Sequence, residues 1–567
     1  MAETKERWLE LSEKFAAQGD FQAMKACANE ILELNAADAD GYVVQAEAAL
    51  YMQDLGVARA KLKQAMALNS QQLRGKMVEG LIYGAEFVLS KEIPLLRKVL
   101  SAGSNLYAEE QTEYIRSTLE KTARFLADAE NLAGEPDKAA EHLFLASRLA
   151  KEPLIKADLY SKALFLTNYR EIAVSADLQQ HEGYNAFFRA KVTYPHMVPK
   201  NGRTHLRIGY LSADFRQHAM AYFLWPFLHD YTKAVYEVFV YNAGSHDEIT
   251  NRFKRCAVNW VDIQGMSPKE AARQIYKDKI DILVDFTGHT QSNCLPVLAY
   301  KPAPVQISGL GYRNTTGLKE VDYFLSDDVC LPEGEKVRGF SEEILRLPDS
   351  QFCYQPDVVR TMPAPAAVPP YEKNGYVTFG CFNNFTKVTT ETLLLWRAIL
   401  ERLPKARLLL KAKLCSIPEG KKIITERLRS IGIDMKRVEM RPFSRDYLEQ
   451  YAAVDIALDT MPYTGGLTTC EALYMGVPLI TLAGYRHGER FSSSILQAIG
   501  HEELVAESDM EYVNKAVHLA KKPELIKEYR CQLRADMQKS SLMDGWSYMQ
   551  NIENIYQAVW QKYCQRK

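Results

Sequence analysis

The hydrophobic period of this chain changes once, near residue 204, and that change constrains the fold more than any other feature. Residues 4 to about 190 are rich in Ala, Leu, Lys and Glu, with apolar residues three and four apart, the spacing of an amphipathic helix. Beyond it, short β-rich runs alternate with helical stretches: HLRIGYLSADF, EVFVYNAG, DILVDFTG, PVQISGLG, VDYFLSD and EILRLPDS. A proline-rich stretch from Gln355 to Tyr371, QPDVVRTMPAPAAVPPY, reads as an extended linker. A second alternating set follows it: YVTFGCFN, ARLLLKAK, RVEMRPF, DIALDT, PLITLAG and ELVAES. Buried strands alternating with helices predict two parallel-sheet α/β domains in tandem. The expected domains are a helical one over residues 1–195, an α/β domain over 204–355, a linker over 356–372, and a second α/β domain over 373–567 that carries the C-terminal helices. At 567 residues the chain is long enough for three cores.

The helical part carries a weak period. Leu34-Asn35 and Leu68-Asn69 recur 34 residues apart, and Ala58, Leu62 and Ala65 have the spacing of Ala139, Leu143 and Ala146. A 34-residue period is similar to the tetratricopeptide repeat, with a plain helical bundle as the alternative. No chemistry is evident there, so this part reads as a scaffold or partner-binding arm.

Composition removes several function classes. The formal net charge of -1 gives no general attraction to nucleic acid or anionic membranes. Ten cysteines lie singly, the closest pair being Cys330 and Cys353, so CxxC zinc and redox motifs are excluded and reduced thiols are expected. MAETKERWLELSEK is charged from its third residue, unlike a signal peptide, and nothing approaches 18 uninterrupted apolar residues. A cytoplasmic protein is expected.

Ligands of open α/β sheets gather beyond the strand ends. In the first α/β domain those ends offer Asp214 and His218 (SADFRQHAM), then Asp285, Thr287 and His289 (VDFTGHT), then the turn SGLGYRNTTG. Two histidines and two carboxylates suit proton transfer or acceptor orientation. In the second, CFNNFTK brings Asn383, Asn384 and Lys387 off one strand, where a lysine beside a phosphate would stabilise leaving-group charge. Tyr447 starts a helix; it is either core packing or a ring for a base to stack on.

The segment DTMPYTGGLTTCEALYMGVP, Asp459 to Pro478, is the most specific of these. Thr468-x-x-Glu471 fits a capping box. The Gly465-Gly466 pair goes further, letting backbone approach a ligand ahead of a helix whose N–H groups and positive dipole end suit a pyrophosphate. Glu471, one turn in, is placed to accept from ribose hydroxyls. There is no GxxxxGK[ST], no GxGxxG after the first strand, no carboxylate cluster arranged for a metal, and no DxD in the crevice loops.

Taken in order, RIGYLSADFRQHA, GHT, KPAPVQISGLGYRNTTG, VDYFLSD, LPDSQFCYQP, FGCFNNFTKV, LDTMPYTGGLTTCEALYMGVPLITLAG and HGERF resemble the O-linked N-acetylglucosamine transferases and their bacterial and SPINDLY-type relatives over about residues 204–560. The resemblance implies an all-α, TPR-like arm followed by a GT-B fold of two Rossmann-like domains. It also implies an inverting transferase that needs no metal or other cofactor and takes a nucleotide sugar as co-substrate. Carried over by residue, Lys387 would stabilise the departing diphosphate, and Thr468 and Thr469 with the helix start at Gly466 would hold it. Glu471 would contact the ribose, Asn384 the phosphate or sugar, and Tyr447 the base. His218 matches the active-site histidine, with Asp285 and His289 on the acceptor side. The implied partners are a UDP-sugar and a protein acceptor bound partly by the arm. UDP-N-acetylglucosamine is the first-choice donor and Ser or Thr the acceptor, with flagellin or an adhesin of a bacterium as example targets. The alternatives are O-fucosyl transfer from GDP-fucose, N-glucosyl transfer from UDP-glucose, or an inactive repeat-based adaptor. Oligomeric state is left open.

Overall fold

The computed structural model describes residues 2–189, 191–198, 205–256, 259–334 and 339–565. Two compact units divide the chain: residues 1–163 with 417–420, and residues 164–416 with 421–567.

The first unit is helical: α1 (Ala2–Gln18), α2 (Phe21–Leu34), α3 (Ala39–Tyr51), α4 (Leu55–Leu68), α5 (Leu73–Ala85), α6 (Leu89–Glu110), α7 (Glu113–Leu132) and α8 (Pro136–Leu149). The 34-residue period is a period of helix ends. Asp20 and Asp54 cap α2 and α4 by accepting from the N–H of Ala23 and Val57. Asn35 and Asn69 close the same two helices, and each side chain accepts from the backbone two residues on, at Ala37 and Gln71. Ala58, Leu62 and Ala65 of α4 are buried, as are Ala139, Leu143 and Ala146 of α8, so the small residues lie where neighbouring helices pack. Beneath them, Glu47 on α3 pairs with Arg74 on α5 and Lys121 on α7, and both cations also pair with Glu13 on α1.

The second unit holds two parallel sheets. The first runs β3-β2-β1-β4-β5-β6-β7, from β1 (Leu206–Ser212), β2 (Tyr236–Asn242), β3 (Asn259–Asp262), β4 (Ile282–Asp285), β5 (Val305–Gly309), β6 (Tyr323–Asp327) and β7 (Glu343–Leu347). The second runs β10-β9-β8-β11-β12-β13, from β8 (Thr378–Cys381), β9 (Arg407–Lys411), β10 (Val438–Arg441), β11 (Ile456–Leu458), β12 (Leu479–Leu482) and β13 (Val505–Ala506). Strand order reverses between β1 and β4 in one sheet and between β8 and β11 in the other. A doubly wound sheet opens its ligand crevice at such points. All four of those strands end in the polar segments singled out in the sequence.

Two boundaries differ from expectation. Residues 164–188, assigned to the arm, belong to the second unit, because Asn168, Asp177 and His181 hydrogen-bond the turn after β5 at Tyr312 and Asn314. The last helix, Gly545–Cys564, was expected with the second sheet but packs on the first. Its Glu553 accepts from Thr232, its Tyr556 donates to Tyr210, and its Lys562 pairs with Glu343. An amphipathic period states that a helix has a buried face, not which sheet covers it. Residue 204, where the texture changes, lies outside the described residues.

Candidate functional site

The second sheet's crevice is organised around Asp459, which follows β11 and is buried. One carboxylate oxygen accepts from the N–H of Thr460 and Gly465 and from the Asn383 amide; the other accepts from Thr481 and Ser492. The chain from 459 to 465 is thereby wrapped round one side chain, which fixes where the helix Leu467–Tyr474 begins. Asn383, from the loop after β8, also accepts from the Thr468 hydroxyl at 2.7 Å and so ties the two crevice loops together.

The expected capping box is not formed. Gly466 is the N-cap residue and no side chain caps the helix; Glu471 turns away to the hydroxyl of Tyr447. The helix start is left for another acceptor, and its dipole favours an anion there. The two glycines differ. A Cβ at Gly465 would crowd the hydroxyls of Thr468 and Thr469, whereas one at Gly466 would meet nothing within 4 Å. Gly466 therefore borders open space. The Thr469 hydroxyl points inward to Ser492 at 2.8 Å, so of the two threonines only Thr468 lies partly exposed.

Asn384 is exposed and caps the short turn Phe385–Lys387, which sets the direction of the lysine. Lys387 Nζ donates to Thr464 O at 3.0 Å and lies 4.0 Å from the centre of the Tyr463 ring. Burial brings its pKa down to about 8; Asp459 opposes the shift and Arg313 adds to it.

Further along the crevice, burial pushes the Glu471 carboxyl up to about 7, against the Tyr447 hydrogen bond and the charge of Arg360. Arg360, from the linker, lies 5.3 Å over the Tyr447 ring and donates to Arg445 O. Tyr222 of the first domain faces the same group.

At the first sheet's crevice His218 is exposed beside Asp214, with Nδ1 3.4 Å from the carboxylate and 3.3 Å from the Met220 N–H. Burial around the ring lowers its pKa, against Asp214 and together with Arg216, so the neutral imidazole dominates at pH 7. Asp285 and His289 are placed differently from the acceptor-side reading. Asp285 is 0% exposed and accepts from Thr287, Gly288 and Ser308, the same loop-organising arrangement as Asp459. His289 is 0% exposed, bonds Thr316 O at 2.8 Å and packs edge-on to Tyr184 and Tyr312. Neither has surface to offer an acceptor.

The sequence reading passed over Asp459, Tyr463 and Arg313. Arg313, in the glycine-rich turn after β5, is 3% exposed and donates to Asn168 O and to Pro462 O. The turn was noticed for its glycines and hydroxyls; an arginine between them was a signal left unread.

The signature of glycosyl transferase family 41 matches residues 175–360 and 371–552. Among curated proteins, the probable UDP-N-acetylglucosamine–peptide N-acetylglucosaminyltransferase SPINDLY of Solanum lycopersicum is 40% identical over 371 residues, which is 63% of this chain and 39% of that protein. The Arabidopsis thaliana protein of the same name is 40% identical over 376 residues, 64% of this chain and 40% of its own length. This chain thus spans about two fifths of the curated relatives it matches. Among solved structures, a mutant of the Thermobaculum terrenum O-GlcNAc transferase is 26% identical with a TM-score of 0.74, covering 100% of this chain and 98% of that one. The crevice residues described above fall within the matched segments, and the chain belongs to glycosyl transferase family 41.

Proposed function

We propose that this chain is an inverting, metal-independent glycosyltransferase that moves a sugar from a nucleoside-diphosphate donor, UDP-N-acetylglucosamine first, to Ser or Thr of a protein. The observation that carries the proposal is the uncapped start of the helix Leu467–Tyr474, with Gly466 bordering open space and Lys387 beside it. A diphosphate there meets the N–H groups of the helix, its positive dipole end and a lysine cation. Those groups supply the charge that the departing diphosphate needs. The ribose would reach Glu471 by displacing the Tyr447 hydroxyl, and the base would lie on the Tyr447 ring.

In the proposed reaction the acceptor oxygen bonds the anomeric carbon as the bond to the diphosphate breaks, which inverts that carbon. The hydroxyl proton leaves to a base, for which His218 is the candidate. The ring is exposed beside Asp214, with Nδ1 accepting from the Met220 N–H. The names borne by the plant relatives and by the Thermobaculum enzyme support a peptide acceptor and an N-acetylglucosamine donor.

A GDP-sugar donor is the second reading, favoured by Arg360 over Tyr447: a guanidinium fork matches the paired acceptors of a guanine edge. Calorimetry with UDP, GDP and UDP-N-acetylglucosamine, with and without EDTA, decides between them. EDTA-insensitive binding of UDP that is lost in Glu471→Ala supports the first reading, and preference for GDP supports the second. Absence of nucleotide binding would sink both. Mass spectrometry of flagellin or adhesin incubated with enzyme and donor then tests the acceptor.

A further inference from the structure

We infer that Arg313 is a positioning residue for the donor site: from the first domain it fastens the diphosphate loop of the second and sets a second cation beside Lys387. The inference rests on the donor-site reading above. Three chain segments meet at this side chain. Nη1 donates to Asn168 O at 3.0 Å, and Nη2 donates to Pro462 O at 3.2 Å in the 459–466 loop. Its own backbone oxygen meets His487 Nδ1 at 2.9 Å. A Cβ at Gly488 would collide with the Arg313 side chain, so that glycine makes room for it.

The loop that Arg313 holds is the one that Lys387 holds. Lys387 donates to Thr464 O, two residues beyond Pro462, and both cations lie against the Tyr463 ring, Lys387 at 4.0 Å and Arg313 at 4.2 Å from its centre. Tyr169 stacks on that ring at 5.1 Å. Among the described residues neither cation makes an ion pair. Asp459 faces Lys387 and favours its charge, but its hydrogen bonds go to Asn383, Thr481, Ser492 and backbone N–H groups rather than to the lysine. Glu489, which faces Arg313, is bonded to Arg486, itself a third cation near Arg313. The remaining titratable neighbours are Cys381 beside Lys387, and Tyr312 and Tyr463 beside Arg313.

Two like charges on one ring, Arg313 buried and Lys387 half-buried, with no carboxylate in direct contact, are costly to keep, and a diphosphate is the chemical class that lowers the cost. The arrangement also couples the domains. Arg313 of the first domain adds a bond to a loop otherwise organised by Asp459, so donor binding senses the relative placement of the two sheets. Arg313 acts through the loop and through Lys387, on which its charge bears directly.

The test uses the full chain and two variants, Arg313→Met and Arg313→Lys. UDP, or GDP if that is the nucleotide that binds, is titrated calorimetrically across pH 6–9. The titration of Lys387 is followed in parallel by pH-dependent competitive acetylation and mass spectrometry, without nucleotide. Arg313→Met is expected to weaken nucleotide binding about tenfold at pH 7, the loss of a charge-assisted hydrogen bond. It is also expected to move the Lys387 midpoint upward, because a like charge has gone. Arg313→Lys is expected to keep the Lys387 midpoint while losing part of the affinity, because it retains the charge without the fork. Unchanged affinity in Arg313→Met, or weakened affinity with an unmoved Lys387 midpoint and a lowered Tm, overturns the inference. If the wild type binds neither nucleotide while the Lys387 midpoint still moves in Arg313→Met, the donor reading fails and the coupling between the two cations stands.

Discussion

In the helical unit, Arg74 and Lys121 each pair with both Glu13 and Glu47; in the α/β unit, Lys387 and Arg313 meet only carbonyl oxygens and the ring of Tyr463. Both join segments distant in sequence, and in the second Arg313 is buried and Lys387 half-buried. The first is complete: each cation has two carboxylates, and Glu47, fully enclosed, is held at a pKa of about 2 by Arg74 and Lys121 despite the burial that opposes this. In the second, no carboxylate among the described residues touches either cation, although Asp459 and Glu489 lie near them. The closed cluster serves packing; on the proposed reading the second one receives the donor's diphosphate.

The comparison is broken most severely by removing one charge from each cluster. Glu47→Gln leaves Arg74 and Lys121 with half their partners and should cost about 3 kcal/mol or more of stability in urea unfolding, the usual penalty for opening a buried pair. Lys387→Met removes an unbalanced cation and should leave stability unchanged or raised. Its cost should fall on turnover, roughly 100-fold or more in kcat, as for other preorganised groups that meet developing charge. A Lys387→Met protein that unfolds as readily as Glu47→Gln would show that the two clusters are of one kind.

The two clusters also differed in how readily the sequence disclosed them. The local placement of Lys387 and Gly466 was legible because the residues that set it are nearby: Asn384 caps the turn that aims the lysine, and the glycine pair directly precedes its helix. Asp285 and His289 misled for the opposite reason. A polar strand end beside glycine looks like a site, but His289 is enclosed by Tyr184 and His181, more than a hundred residues away. The capping box failed similarly, since Thr468 and Glu471 find better partners in Asn383 and Tyr447 on other loops. The fold class was open to reading because hydrophobic period is a property of short windows. The docking of residues 164–188 and of the last helix on the first sheet was not.

Acidity separates the clusters by a smaller margin. The Glu47 pKa lies below the ordinary 4.5, so its contribution is complete above that value and is lost as pH falls toward about 2. The Lys387 pKa, about 8, lies below the ordinary 10.5, so folding with the lysine charged is disfavoured. That penalty should be relieved as pH rises from about 8 toward 10.5, over the range in which the site loses its cation. Nucleotide affinity should accordingly decline above pH 8 without loss of fold. Calorimetric titration alongside circular dichroism checks both, and affinity constant from pH 7 to 9.5 would remove Lys387 from the site.

The smallest expected effect isolates the crevice from the fold altogether. Gly466→Ala adds one methyl group where no protein atom lies within 4 Å. Stability should therefore stay within roughly 0.5 kcal/mol of wild type, as for a surface change. A diphosphate drawn to the N–H groups of the helix Leu467–Tyr474 would meet that methyl, so nucleotide affinity should fall about tenfold, or roughly 1.4 kcal/mol. Gly465→Ala is the control, because its methyl would press on the Thr468 and Thr469 hydroxyls and cost stability with or without ligand. If Gly466→Ala binds nucleotide as tightly as wild type, the open space beside the helix is not where the phosphates lie.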